Sequence, residues 1–574
     1  MFLMAAYFRK LALFFSILLH KHLRIPKKPV GADSLSAALQ FGFQKFQVLG
    51  QRPDLENQVL IFHAETVLLR SSSLFPYFML VAFEAGGPVR ALILFLLYPF
   101  IGLCRQDLAV KVMVFVCFVG LRKERFVEGR AVLPKFFLED VGRESFEVLR
   151  RGKMTAAVSD LPQVMVESFL RDYLEVDFVV GRELKVFGGY FVGLMEERRE
   201  TAFHAVRMVS DVIGVGCFRK CLDREWFLNC KEIYLVSEQE RRSWHQLPRD
   251  SYPKPLIFHD GRLAFRPTFW ATLAMFMWLP VGFTLGLIRA IVAVSTLAVE
   301  IKFPILHLIG ARIKISNPEL AMTNTANGAL YVCNHRTLLD PLMLSYCLRT
   351  PLTAVVYSLS RVSEIISPIK TARLTRNREQ DAALMHKLLG QGNLVVCPEG
   401  TTCREPYLLR FSPLFTEVSD RIFPAAIDYD VSVFYGTTAR GFKSLDSLFL
   451  LMNPRPSCSV RFLNMVRRGA AESGGDVEAS KYKTANLVQS MIAEELGFTC
   501  TKLTRKDKYL ILAGNEGIVG DGKKVGSPAP AVATCSLDID ASITPTGDPP
   551  ADSSKHPTSS TPAVAIEVTV ARFI

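Results

Sequence analysis

The sequence predicts a membrane-associated α/β fold, and three observations carry that expectation. Residues 300 to 514 alternate short apolar runs ("ALYVCNH", "LTAVVYS", "NLVVCPEG", "RIFPAAID") with helical patterns, the signature of a sheet covered by helices. Pro267 to Ile288 contains no charged residue, and after Arg289 an uncharged stretch continues to Val299. The 574-residue chain is 49% hydrophobic yet carries a formal net charge of +13, a balance that suits anionic partners such as a membrane surface, phosphorylated metabolites or coenzymes. Nucleic acid is not among the expected partners. The basic residues are scattered among aliphatic segments, with neither zinc-finger spacing nor an aromatic-glycine RNA-binding pattern. The 12 cysteines are scattered too; Cys217, Cys221 and Cys230 have no second CxxC pair, so reduced thiols are expected and no metal site.

Taken in order, residues 1–54 form an amphiphilic or targeting segment. Leu11 to Leu19 is too short to span a bilayer and no small-residue cleavage site follows it. Residues 55–260 read as an α/β domain, with "NQVLIFHAETVLLR", "MTAAVSD" and "EIYLVSE" supplying strands. Within it, three apolar runs at 75–121 are broken by Glu84, Arg90, Arg105, Asp107 and Lys111. Each run is shorter than the roughly 18 residues a spanning helix needs, which predicts a re-entrant or interfacial hairpin, with a helical hairpin in a soluble core as the alternative. Residues 267–299 are the transmembrane candidate; Pro280 allows a kinked span or a returning hairpin, and Trp270 and Trp278 suit the headgroup level. The domain at 300–514 follows, and residues 515–574 are rich in Gly, Pro, Ser and Thr and are expected to be disordered.

The chemistry concentrates in "YVCNHRTLLDPLML", residues 331–344, where His335 and Asp340 stand five residues apart. On one α-helix that spacing separates two side chains by about 140°. The pair therefore belongs to a strand end and the start of a helix, with Asp340 as N-cap and Pro341 at the first helical position. A carboxylate on one imidazole nitrogen leaves the other as a proton acceptor, the arrangement of a general base. The bland alternative is that Asp340 only caps the helix. Downstream, "VVCPEGTTCREPYLLRFSPLF" (395–415) runs from a strand through a tight turn into a predicted helix with Arg404 and Arg410. The turn would present Glu399, Gly400, the Thr401 hydroxyl and backbone amides to a polyol phosphate. Between the two, Lys370, Arg373, Arg376 and Arg378 crowd one segment, a spacing that favours phosphate or else a solvated basic face.

HxxxxD, a basic segment, PEGT and a strand with Pro424 ("IFPAAID") resemble, in that order, the blocks of the glycerolipid acyltransferases. The strings "NHRTLLDP", "SPIKTARLTR", "CPEGTTCREPYLLRFS" and "FPYFMLVAFEAGGPVRALILFLLYP" are similar to those of land-plant glycerol-3-phosphate acyltransferases. The resemblance covers about residues 55–515. It implies a membrane-associated α/β acyltransferase domain in which His335 takes a proton from a glycerol-3-phosphate hydroxyl that attacks acyl-CoA, with Asp340 orienting the ring. It further implies that Glu399, Gly400, Thr401, Arg404 and Pro424 serve the acceptor together with Arg373 or Arg376. No cofactor is expected beyond acyl-CoA as co-substrate, and no acyl-enzyme, which leaves Cys333 and Cys397 as packing thiols.

Such enzymes begin with a haloacid dehalogenase-like domain, whose active form ends its first strand in DxDGT. Here the matching stretch is "HAETV": His63 stands at the nucleophile, Glu65 at the general acid and Val67 at the threonine. An aspartyl-phosphate cannot form without the first carboxylate. The distal block "GVGCFRKCLDREWF" keeps only Asp223 as an obvious acid, and Ser159 matches the second block. The domain is therefore expected to be degenerate, and the product lysophosphatidic acid. A lysophospholipid acyltransferase and a non-catalytic lipid-binding scaffold are the alternatives. A lipid bilayer is the expected partner, in the endoplasmic reticulum by default, with the basic N-terminus leaving a mitochondrial membrane open.

Overall fold

The computed structural model describes residues 43–196, 212–217, 230–295, 298–321, 328–357, 361–468 and 477–515. The N-terminal amphiphile, the stretch holding Cys221 and Asp223, and the C-terminal tail lie outside the described residues.

Two sheets organise the chain. The first is parallel throughout, in the order β1 (Gln44–Lys45), β8 (Glu232–Leu235), β7 (Val212–Gly216), β2 (Val59–His63), β3 (Met154–Pro162), β4 (Phe178–Arg182). Its central strands are buried along nearly their whole length, which is why "VLIFH" and "AAVSDLP" read as continuous apolar runs rather than alternating ones. The hairpin β5 (Leu184–Phe187) to β6 (Tyr190–Met195) follows β4. The second sheet runs β12 (Lys370–Arg373), β11 (Leu352–Val356), β13 (Asn393–Val396), β10 (Leu330–Cys333), β15 (Arg421–Asp430), β16 (Ser457–Phe462), β9 (Arg312–Ser316). β16 lies antiparallel to β15, as does the short β17 (Val466–Arg467). Outside the sheet, β14 (Tyr407–Leu408) pairs with β18 (Thr499–Cys500).

Residues 75–121 do not form a single hairpin. They form three helices, α1 (Phe75–Glu84), α2 (Gly87–Gly102) and α3 (Gln106–Phe118). Every residue of α1 from Phe75 to Phe83 is buried, and α3 is buried from Val112 to Phe118, so the first and third runs are core of the N-terminal domain. Only α2 presents apolar side chains outward, with Phe100 68% exposed. The sequence could not separate the three because apolar content alone does not distinguish a buried helix from a lipid-facing one.

Helix α4 (Phe269–Val294) is continuous through Pro280 and does not turn back. Its 26 residues give it a length of about 39 Å. One face packs on the acyltransferase-like half, where Gly282 and Gly286 let Met452 approach and Trp278 donates Nε1–H to Met452 O at 2.8 Å. Trp278 is thus an internal anchor rather than a headgroup residue, whereas Trp270 is 74% exposed. Arg289, which interrupts the apolar run, points inward and is fully buried. Its guanidinium donates to the carbonyls of Ile309, Leu451, Asn453 and Pro454. The rest of α4 is left free to expose Met277, Val281, Phe283 and Ile291. Arg289→Ala strips four carbonyls of their donor, that of Asn453 buried and the others partly so, and a buried one left unsatisfied costs roughly 1–3 kcal/mol. The variant is expected to melt several degrees below the wild type in detergent, while Trp270→Ala melts with it; differential scanning calorimetry checks both.

Candidate active site

The site forms where β10 ends. Asn334 completes the strand by mimicry: its side-chain amide donates to Ile427 O and accepts from Ile427 N, both at 2.8 Å, tying β10 to β15. The next residue, His335, leaves the sheet, and its Nδ1 lies 2.9 Å from Asp340 Oδ2. The helix begins at Asp340 (α5, Asp340–Leu348) with Leu339 at the N-cap. Asp340 is therefore not the cap that the spacing predicts. Its carboxylate reaches back instead, accepting from Arg336 N at 2.6 Å, Thr337 N at 3.0 Å and Thr337 Oγ1 at 2.9 Å. With the ring of His335 these donors fill both oxygens of a fully buried aspartate, which fixes the imidazole and leaves Nε2 as its remaining basic atom.

Burial works against a charged imidazole here. The Asp340 carboxylate, which accepts a hydrogen bond from the ring and carries the negative charge beside it, opposes burial and holds the His335 pKa above the ordinary value. Cys397 Sγ also lies 3.6 Å from Cys333 Sγ, and burial beside that thiol pushes the Cys397 pKa well up, which keeps it a protonated, poor nucleophile. His335 lines a cavity of about 400 Å³. The walls are Leu287, Ala293 and Val294 of α4 on one side and Leu374, Met385 and Phe415 on the other.

The turn after β13 builds the site differently from the sequence expectation. Gly400, at φ +66°, lines the cavity. Glu399 does not face it: Oε1 accepts from His335 N at 2.7 Å and Oε2 from Leu409 N at 2.9 Å, and burial pushes its pKa up to about 7. It is a bracket that sets the backbone of the histidine. Thr401 is buried against Lys508, whose Nζ approaches its Oγ1 at 3.3 Å and also donates to Thr402 O. No predicted helix follows the turn; Pro406 and Pro413 restrict it to β14 and a loop, and a helix starts only at Leu414. Arg404 is not available to a phosphate. It bonds Gly261 O at 2.8 Å, pairs with Asp260 at 3.4 Å, contacts Thr437 and lies 4.4 Å over the Tyr435 ring. Pro424 lies buried in β15 opposite Val332, away from the cavity walls. Its carbonyl accepts from Leu463 N where β16 gives way to β17.

Of the basic segment, Thr371 and Leu374 line the cavity while Arg373 and Arg376 flank it. Arg373 pairs with Glu364 at 2.8 Å. Arg376 sits at φ +71°, held there by the Asp381 carboxylate on its amide, with its guanidinium 6.0 Å from the ring of Tyr357, a cavity wall. Two positioning residues escaped the sequence reading. Arg336 donates to Cys403 O and Glu405 O and pairs with Asp428 at 3.0 Å, and Lys508 holds the threonines of the turn. Arg336 stood inside the motif; Lys508 had no local signal.

At the C-terminal edge of the first sheet, His63 Nε2 lies 3.1 Å from Asp160 and 3.3 Å from Glu65. Glu65 Oε1 accepts from the Ser159 hydroxyl and from Asp160 N and Leu161 N. The Mg²⁺ that a haloacid dehalogenase site uses does not fit these residues: the nucleophile position carries an imidazole, and the carboxylates are turned to it and to backbone amides.

Fold and site together define a two-part protein, an acyltransferase domain joined to a haloacid dehalogenase-like domain. Profiles for both match: "Glycerol-3-phosphate acyltransferase RAM2-like, HAD-like domain" over residues 59–236 and "Acyltransferase" over 312–428. "Probable glycerol-3-phosphate acyltransferase 3" of Arabidopsis thaliana is 54% identical over 81% of this chain and 92% of its own. "Glycerol-3-phosphate acyltransferase RAM2" of Petunia hybrida is 40% identical over 79% and 96% respectively. Among solved structures, the 1-acyl-sn-glycerophosphate acyltransferase PlsC of Thermotoga maritima superposes with TM-score 0.24 at 14% identity, over 40% of this chain and 89% of that one. The chain belongs to the plant glycerol-3-phosphate acyltransferase family.

Asp340→Asn removes the charge that raises the His335 pKa. A base works only when neutral, so kcat/KM falls below that pKa; in the variant this acid limb moves to lower pH, and the high-pH plateau drops roughly 10²–10⁴-fold. A pH–rate profile of the two proteins measures both effects.

Proposed function

We propose that this chain transfers a fatty acyl group from acyl-CoA to a hydroxyl of glycerol-3-phosphate and releases lysophosphatidic acid with its phosphate intact. One observation carries the reading: an imidazole locked by a buried aspartate lines a predominantly apolar cavity. His335 Nε2 takes the acceptor's hydroxyl proton as the oxygen attacks the thioester carbonyl. The tetrahedral intermediate collapses with loss of the CoA thiolate, which takes up the proton held on the imidazole. The acyl chain lies among Leu287, Val294 and Phe415. Arg376, rather than the ion-paired Arg373, receives the acceptor's phosphate; its strained backbone and place behind Tyr357 support this assignment.

The N-terminal domain contributes no phosphatase step, because His63 cannot form an acyl-phosphate and its neighbours do not suit Mg²⁺. The outward apolar faces of α2 and α4 seat the protein in a bilayer, in the endoplasmic reticulum by default.

Membranes carrying the chain are supplied with radiolabelled glycerol-3-phosphate and a long-chain acyl-CoA. Lysophosphatidic acid is expected from the wild type and none from His335→Ala. Monoacylglycerol formed with host phosphatases excluded contradicts the silent domain, and absence of any product from folded protein contradicts the transfer. In the same assay Arg376→Ala is expected to raise KM for glycerol-3-phosphate about tenfold, as loss of a charge-assisted hydrogen bond would, with KM for acyl-CoA unchanged.

A further inference from the structure

A second cavity, of about 910 Å³, lies between the start of α2, α4 and the segment 438–452, and the transfer chemistry makes no use of it. One side is apolar: Leu279 and Phe283 of α4 with Leu445, Leu448 and Phe449. Leu445 and Leu448 line the catalytic cavity as well, so the two spaces share a wall. The other side carries three guanidinium groups, from Arg125, Arg262 and Arg440.

Those cations are incompletely matched. Arg262 is only 8% exposed; Nη2 pairs with Asp446 at 2.7 Å, while Nη1 is buried with no hydrogen-bond partner. Arg440 donates to Arg125 O at 3.2 Å and is felt electrostatically by Glu128, but among the described residues neither of these two arginines forms an ion pair with a carboxylate within 4 Å. The acids of the cavity are engaged elsewhere. Glu84 accepts from Arg262 N and Leu263 N, Asp260 from Ala439 N, and Glu128 from Val127 N. Burial also pushes the Glu84 pKa up to about 7 and raises that of Glu128.

We propose that this cavity binds a phosphomonoester lipid with a single acyl chain, its phosphate on the three arginines and its chain along α4. Identifying that lipid with the enzyme's own product rests on the proposed function; the binding does not. The chemistry selects against the neighbours of this class. A choline headgroup would bring a cation to three guanidiniums, and glycerol-3-phosphate offers nothing to the apolar wall. Because α4 exposes Met277 and Val281 on its other flank, a chain held there lies between the catalytic cavity and the helix face that meets lipid. The cavity is a station on the route by which an acylated phosphate leaves the site.

The test uses the full chain carrying His335→Ala, which cannot turn over, in phosphatidylcholine nanodiscs. Binding of labelled lysophosphatidic acid is compared with and without Arg125→Gln and Arg440→Gln together; Arg262 is kept because it holds Asp446. The double substitution is expected to weaken lysophosphatidic acid binding at least tenfold without lowering the melting temperature. Lysophosphatidylcholine should bind both proteins equally and weakly. Placed in the His335 background of the wild type, the same pair should leave the initial rate of transfer unchanged. Equal binding of lysophosphatidic acid to both proteins overturns the proposal, as does equally tight binding of lysophosphatidylcholine. An initial rate that falls with the binding also overturns it, by placing the arginines at the reacting substrate. A chain inactive on glycerol-3-phosphate that still showed the arginine-dependent binding would sink the functional reading alone.

Discussion

The buried carboxylate of Asp340 is the constraint on which the site depends. A charge taken fully out of water persists only if its oxygens are filled, and here two backbone amides, a threonine hydroxyl and an imidazole fill them. All four donors come from His335, Arg336 and Thr337, so the loop cannot relax without leaving the aspartate unpaired. The histidine is thereby held in one orientation by the cost of the alternatives. Glu399 repeats the device from the other side, grasping the His335 amide and the Leu409 amide at once. Two buried carboxylates thus fix one ring, and neither needs to touch the acceptor.

That scaffold extends into the haloacid dehalogenase-like domain. Arg336 grips the carbonyls of Cys403 and Glu405, and Glu405 pairs with Arg249 and with His259 at 2.8 Å. Lys135 of the first half reaches the hydroxyl of Tyr435 at 2.6 Å, against whose ring Arg404 lies. Burial holds the His259 pKa down to about 4, so the ring beside Glu405 is neutral and Arg249 supplies the positive charge. One hydrophobic cluster runs through both halves, including Phe62 and Phe137 from the first and Leu409 and Phe434 from the second. The first sheet thus packs into the same core as the half that carries His335.

What the sequence disclosed follows from the range of each interaction. The strands at 330, 352, 393 and 421 were legible because apolar runs bounded by turns report local structure, and the His335–Asp340 pair because its partners are five residues apart. Arg404, Glu399 and Pro424 were placed at the acceptor because a polar or conformationally special residue beside a motif looks functional. Their partners are distant: Arg404 meets Gly261, 143 positions away, and Glu399 meets His335, 64 away. The same limit hid the inward turn of Arg289 and the burial of α1, since composition records how apolar a helix is and not what covers it.

The central claim is that His335 delivers the acceptor directly to the acyl thioester, although a thiol, Cys397, lies beside the ring. Rapid mixing of the purified enzyme with acyl-CoA in the absence of glycerol-3-phosphate tests it most directly. The account predicts no burst of free CoA and no mass added to the protein, with release starting only when the acceptor is supplied. A burst of one equivalent of CoA, with an acyl group recovered on Cys397, would contradict it.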